Sequence, residues 1–409
     1  MAVVTRRRAW SALPIVLVLA VLTGLLLPRL ATASTPDPAS ASTNAVTSTA
    51  STYANNFTNV TDVYTDTASH GDGTRVPDIV STSADHAVVA WREGIVPGHV
   101  DQGYIRYSYT TDGGKSWSQP QVLAQETTTF TYNDVVLYHT GNQVFAYLDR
   151  AKAGGANKTG TPDTLVVKRS TDEGHSWESY ALDTDSQTTM NGLIISGHPL
   201  QSGSNYVIPY WKGGPRPNGV LTSADLKTWT LGKAAENNGT VPGENQIAVS
   251  QDNAQELVMV ARAKSPGGNA ATATSEDGGK TWSAFAEDPN LPSYDVAKDF
   301  FTKDSDGQYL YIYNPGRAGI TSADPDYRDQ LFYKVKPQGK PWSAAAPLID
   351  TVLNDPAQPG CPSQPQCNGA GWDTYPMADE YAPGKFYVVW EADTMHIMVG
   401  KLDISGTAD

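Results

Sequence analysis

The chain has 409 residues, with 29 Lys and Arg against 43 Asp and Glu, a formal net charge of −14 and two cysteines. So acidic a protein excludes nucleic acid as a general partner, because gripping its backbone needs a basic face. The seven histidines show neither HExxH nor HxH spacing and two cysteines are too few to cage an ion, so no metal site is expected.

In chain order, the first feature is Arg6-Arg7-Arg8, followed by an apolar run from Pro14 to Leu27 and the small residues ATA at 31–33. A basic start, a short apolar stretch and a small-residue cleavage site read as a secretory signal over 1–33, giving a secreted, extracellular protein. A retained anchor is the alternative, but the run is short for a membrane span of about 20 residues. Arg6-Arg7 also admits a twin-arginine signal. Cutting after Ala33 removes four of the 29 basic residues and no acid, leaving 25 against 43, a net charge of −18. Residues 34–56 are dominated by Ser, Thr, Ala and Pro. They carry too little apolar surface to order themselves and read as a flexible leader.

The remainder, 57–405, reads as one domain built from repeats. Trp117, Trp177, Trp229, Trp282 and Trp342 recur at intervals of 60, 52, 53 and 60 residues. Each of the first four closes a turn phrase, TTDGGKSW, STDEGHSW, SADLKTW or SEDGGKTW, and a decayed QGKPW ends at Trp342. A period of this length with β-patterned segments between the turns marks an array of sheet units. Alternation and turn signals split the first repeat into VPDIVS, HAVVAW, YIRYSY and WSQPQVL, and the third into NGLIISG, NYVIPYW, GVLTSA and WTLGK. The sixth repeat offers only YPMADEY, KFYVVWE and MHIMVGKL. Its missing strand is supplied by FTNVTDVYT (57–65), which precedes the first repeat and closes a ring. The expected fold is all-β, a six-bladed β-propeller with four antiparallel strands per blade. In the turn phrase, Asp bonds its own backbone amides, Gly supplies a positive φ and Trp packs between blades. Asp112, Asp172, Asp225 and Asp277 are therefore structural. Cys361 and Cys367, in the loop CPSQPQC, are expected to pair as a disulfide in an exported chain.

First strands line a propeller's channel, so their starts converge on one mouth. Those positions hold Arg75, Asp134, Glu244 and Tyr375. Ends of second strands add Arg92, Arg150, Arg262 and Glu391, a first-blade loop adds Asp101, and Arg328 leads into the fifth blade's third strand. Bland readings stand beside each: a sheet-capping ion pair for Arg75, an inter-blade pair for Glu244 and Arg262, an ordinary aromatic for Tyr375, a turn for Asp101. A rim salt bridge is the default for Arg92 and Arg150. Arg317 competes with Arg328, because it follows the fifth blade's second strand as Arg262 follows the fourth's.

The turn phrase S-x-D-x-G-x-T-W resembles the Asp box of sialidases and related propellers, which is a marker of fold alone. The resemblance to sialidases becomes specific over 58–403, in Arg75-Val76-Pro77, Asp101 before the first box, Glu244-Asn245, Arg262, Arg328, Tyr375 and Trp390-Glu391. It departs at WREG (91–94), where the family more often has Glu-Gly-Arg or Glu-Arg. The resemblance implies a retaining exo-α-sialidase that releases terminal sialic acid from glycoconjugates, as a monomer without cofactor or stable membrane anchor. It makes Tyr375 the nucleophile, Glu244 its base and Asp101 the general acid. Arg75, Arg262 and Arg328 would hold the substrate carboxylate, Glu391 would orient Arg75, and Asp134 would contact ring substituents. Two other readings are a propeller glycosidase for another sugar, such as a related nonulosonic acid or an arabinan, and a non-catalytic carbohydrate-binding propeller.

Overall fold

The computed structural model describes residues 51–66, 73–94, 96, 99, 101–155, 158, 160–213, 216–265, 267–316, 328–351 and 372–406. The signal expected over 1–33, both cysteines and Arg317 lie outside them.

Six antiparallel sheets follow one another along the chain. The first blade holds Thr74–Ser81, Ala87–Glu93, Tyr104–Thr110 and Gln121–Ala124. The second holds Phe130–Thr140, Gln143–Lys152, Thr161–Ser170 and the two-residue Glu178–Ser179. The fourth holds Val241–Val249, Leu257–Lys264, Asn269–Ser275 and Ala286–Pro292. The fifth holds Phe300–Lys303, Tyr309–Tyr313, Gln330–Lys336 and Ala346–Thr351. The sixth holds Asp373–Ala382, Lys385–Ala392 and His396–Asp403, with Phe57–Thr65 pairing antiparallel to His396–Asp403. The ring thus closes as the sequence implies. Phe57 seals the joint against Gly400, where even a Cβ would stand 2.3 Å from the ring.

Two details differ from expectation. In the third blade, Asn205–Trp211, Asn218–Ser223 and Thr230–Leu231 form as read, but the inner strand is Leu200–Ser202. The expected NGLIISG contributes only the isolated bridge between Ile194 and Trp211. A short helix, Thr184–Thr189, capped by the Asp183 carboxylate, takes up the chain before it. Second, the leader does not run to residue 56. Ser51–Tyr53 pairs with Ala346–Thr351 as a fifth strand of blade five, a backbone ladder to which Tyr53 adds packing on the core, 5.9 Å from the Phe57 ring.

The apolar interior is a set of seams between blades rather than a single centre. Val80 and Ile105 meet Leu137 and Leu148 between blades one and two. Tyr147 meets Ile208 and Trp229 between two and three, and Val220 meets Ile247 and Met259 between three and four. Val260 meets Phe301 and Tyr311 between four and five, and Trp91, Phe300 and Trp390 join blades one, five and six.

The boxes lock these seams. Asp277 accepts from the Thr281 amide at 2.9 Å and the Thr281 hydroxyl at 2.6 Å, and Ser275 donates to it at 2.9 Å. Asp112, Asp172 and Asp225 repeat the pattern. Those bonds hold all four carboxylates below their ordinary range against the opposing effect of burial, Asp225 at about 2. Gly174 and Gly279 need their glycine: φ is 89° and 90°, and a Cβ would stand 2.3 Å from Val88 and 2.2 Å from Val220 of the preceding blade.

Candidate active site

A single backbone device brings the expected residues together. In blades one, two, four and six the pairing between first and second strands slips, each time close to the same end. The slips fall between Arg75 and Asp78, Tyr132 and Val135, Pro242 and Asn245, and Thr374 and Met377. A bulge bends its strand and re-aims the extra residue. Here each bulge begins at or contains an expected site residue: Arg75, Asp134, Glu244 and Tyr375. Val76 and Tyr375 hold left-handed φ of 48° and 53°, costly for non-glycine residues and sustained only by fixed surroundings.

At blade one, Glu391 is completely buried and accepts from Arg75 Nε at 2.7 Å and from the Val76 amide at 2.7 Å. It therefore fixes both the guanidinium and the strained bulge. Tyr375, 9% exposed, is ringed by cations. The guanidinium carbons of Arg75 and Arg328 lie 5.6 and 5.3 Å from its ring centroid, and Lys298 Nζ lies 6.0 Å away. Arg262 Nη1 donates to Glu244 at 2.7 Å and to the Tyr375 hydroxyl at 3.5 Å, linking the acid and the phenol. Burial raises the Tyr375 pKa and Glu244 raises it further, against the three arginines, so the phenol is protonated at rest. Burial opposes the charge of Arg262, but Glu244 first, then Tyr375 and Asp295, outweigh it and keep the guanidinium firmly ionised.

One turn that sequence reading passed over grips two of these arginines. The Asp295 carboxylate accepts from Arg262 Nε at 3.0 Å and the Asp295 carbonyl from Nη2 at 2.9 Å. The next carbonyl, Val296, accepts from Arg328 Nε and Nη2 at 3.0 and 2.8 Å, and Arg328 stacks 4.9 Å over Trp372. Tyr294 and Asp295 both sit at left-handed φ, 56° and 57°, and the amides of Ser293 and Tyr294 both bond the Gly268 carbonyl. The sequence signal, an aspartate in a proline-serine turn (LPSYD), was too common to single out.

Asp101 lies on the opposite side, its side chain half exposed, at a φ of 50°. Arg92 holds it: Nη1 reaches Asp101 at 3.3 Å and the Asn133 carbonyl at 3.0 Å. Arg92, the arginine of WREG, thus makes the salt bridge expected of it, but from a buried position at 1% exposure. Arg150 does take the rim role, pairing with Asp163 at 2.6 Å over the Phe130 ring. Asp134 is buried, and burial pushes its carboxyl up to about 7 despite the lowering effect of Lys298 and Arg92.

Asp101, Asp134, Glu244, Arg262 and Tyr375 line one cavity of 350 Å³, together with Arg92, Trp211 and Arg216. Ligand pockets run from about 300 to 1,000 Å³, so this one suits a single sugar unit with its substituents rather than a chain. Arg75 and Arg328 are not among its lining residues but flank the ring of Tyr375, which is. Among the described residues no group of three His, Cys, Asp or Glu side chains is placed to hold a metal ion.

Fold and cavity together define an Asp-box propeller whose mouth pairs a buried tyrosine and a glutamate with three arginines. The chain belongs to the family described as BNR repeat-like domain, whose model matches residues 73–362. No curated protein matches. Among solved structures, the chain is similar to the Hadza microbial sialidase Hz136, at 16% identity and a TM-score of 0.62 over 84% of this chain and 68% of that one. It is similar to the NanB sialidase from Streptococcus pneumoniae, at 14% identity and a TM-score of 0.61 over 86% and 71%. It is also similar to the intramolecular trans-sialidase from Ruminococcus gnavus, at 14% identity and a TM-score of 0.60 over 84% and 97%. At such identities the likeness establishes the shared propeller fold.

Proposed function

We propose that the protein is an exo-α-sialidase, a retaining glycoside hydrolase acting outside the cell as a monomer on terminal sialic acids. The observation that carries this reading is the bridge made by Arg262, to Glu244 at 2.7 Å and to the Tyr375 hydroxyl at 3.5 Å, with Arg75 and Arg328 flanking the same ring. A sugar acid with a carboxylate on its anomeric carbon would meet the three guanidiniums grouped around Tyr375, and charge-assisted bonds would set its orientation. A carboxylate nucleophile would be repelled by that substrate. A phenol kept neutral by burial and by Glu244 is not.

In the first step the Tyr375 oxygen bonds to the anomeric carbon while Glu244 takes the phenolic proton. The glycosidic C–O bond breaks, and Asp101 gives its proton to the departing oxygen. In the second step Asp101 takes a proton from water, whose oxygen bonds to the same carbon. The bond to Tyr375 breaks, and the phenol recovers its proton from Glu244. Two displacements return the original anomeric configuration.

The test is hydrolysis of a 4-methylumbelliferyl α-sialoside by wild type and by Tyr375→Phe, with the first-formed anomer read by NMR. The proposal expects turnover by wild type, release of the α-anomer and a loss of at least about 10³-fold in the variant, the scale on which nucleophile removal acts. Wild type that is inert here but cleaves an arabinofuranoside overturns it.

A further inference from the structure

The turn that clamps two arginines continues into a buried cation that the steps above leave unused. Val296 and Ala297 are buried and pack with Val76 and Tyr375 as one small cluster. Lys298 follows, at 1% exposure, with Nζ over the Tyr375 ring and 6.0 Å from its centroid. Among the described residues its Nζ finds no hydrogen-bond partner. Burial raises the carboxyls of Asp134 and Asp149, and Lys298 opposes the rise in both, so its charge is felt through this part of the interior. A buried charge with unsatisfied donors is costly, and buried polar groups are bonded as a rule. Its retention beside the catalytic phenol therefore points to a use for the charge itself.

The arginines are poorly suited to that use once substrate is in place. Their side chains keep some exposure, and a bound carboxylate opposes their charge. Lys298 is too deeply buried to meet the substrate, so its field stays on the ring. A cation over an aromatic face is attracted to it, and the attraction grows as the ring takes on the charge of a phenoxide. Only an interaction that strengthens on the way to the transition state speeds a step. Resting on the sialidase reading, we infer that Lys298 is a positioning residue for the second displacement, its charge acting through the Tyr375 ring to favour the phenoxide that leaves the anomeric carbon. As that C–O bond breaks, its electron pair goes to the Tyr375 oxygen, and the proton held by Glu244 follows. Water supplies the new oxygen and passes its proton to Asp101. Lys298 neither gives nor takes a proton and forms no bond.

The experiment follows 4-methylumbelliferyl α-sialoside hydrolysis by stopped flow, with the mass of acid-quenched enzyme read in parallel. Lys298→Met keeps the length of the side chain and removes its charge. Because that change leaves Asp134 without an opposing cation, Lys298→Met/Asp134→Asn is measured beside it, against Asp134→Asn alone. In both comparisons kcat should fall about 10- to 30-fold, the scale of a desolvated cation over a ring. KM should fall with it, so that kcat/KM, which reports the first displacement, moves by less than about 3-fold. A burst of 4-methylumbelliferone should precede the slow phase, and the quenched enzyme should carry a covalent sialyl adduct. An unchanged kcat, or equal falls in kcat and kcat/KM with neither burst nor adduct, overturns the inference and leaves the sialidase reading intact. So does a double variant that turns over as Asp134→Asn does, for Lys298 would then serve only to neutralise that carboxylate. A wild type inert on the sialoside overturns the reading itself and the inference with it.

Discussion

Glu391 makes the sharpest prediction about what holds the mouth in shape. It is completely buried; one carboxylate oxygen takes Arg75 Nε–H at 2.7 Å and the other takes the Val76 amide at 2.7 Å. Glu391→Ala removes both at once. Breaking a buried charge pair by deleting one partner costs about 3–5 kcal/mol, and an amide left without its acceptor costs about 1–3 kcal/mol. The Arg75 side chain is 11% exposed, so part of the first cost is recovered by water. A loss of about 4 kcal/mol is expected. Glu391→Gln fills the same volume and keeps an oxygen for the Val76 amide, losing the charge alone, and should lose about 2 kcal/mol. Urea unfolding followed by tryptophan fluorescence, at constant m-value, measures both. The ordering is the signature: equal losses in the two variants, or less than about 1 kcal/mol in the alanine variant, would refute the role given to the carboxylate.

Three further outcomes follow from the geometry. Asp295→Asn keeps a residue that tolerates left-handed φ and removes only the charge facing Arg262 Nε. Activity (kcat/KM) should fall about 10- to 100-fold with little change in melting temperature, and a variant of wild-type activity counts against the turn as an arginine clamp. For Asp134 the sign runs through proton binding. An unfolded aspartate titrates near 3.9, and in the folded protein burial pushes the group up to about 7, so the folded state holds the extra proton between those values. The contribution of Asp134 to stability therefore falls as pH rises from about 4 to about 7 and is constant above. Asp134→Asn should lack that fall, and the difference between variant and wild type, read by urea midpoints at pH 4 and pH 8, should change by up to about 4 kcal/mol. Gly279→Ala forces a Cβ to 2.2 Å from Val220 at a φ of 90°, and should destabilise by about 3 kcal/mol while the purified folded protein keeps its kcat.

The period of the boxes made the blades legible, because each box is a local turn whose partners lie within four residues, as Asp277 and Thr281 show. Strand placement was legible wherever apolar alternation was strong. It failed at NGLIISG, where the chain bends past the sheet and leaves one bridge, and at Ser51–Tyr53, where one aromatic and a backbone ladder are too short to show alternation. The convergence of Arg75, Glu244, Arg262, Arg328 and Tyr375 at one mouth was legible from strand order. The four bulges were not. A bulge is a relation of register between two strands, and neither strand alone records it. Asp295 and the burial of Arg92 escaped for a similar reason, since each role is set by what stands opposite in another part of the ring.

The strand Phe57–Thr65 lies in the same sheet as Tyr375 and Glu391. The segment that comes first in the blade-forming chain is thus the one that completes the last blade. The sheet bearing the tyrosine is complete only when Phe57–Thr65 meets His396–Asp403, after every other blade has been made. Until then the His396–Asp403 edge has no neighbour, and Glu391 has yet to reach Arg75. A chain lacking Phe57–Thr65 or His396–Asp403 therefore keeps the ladders of blades one to five and leaves the sheet of Tyr375 and Glu391 unclosed.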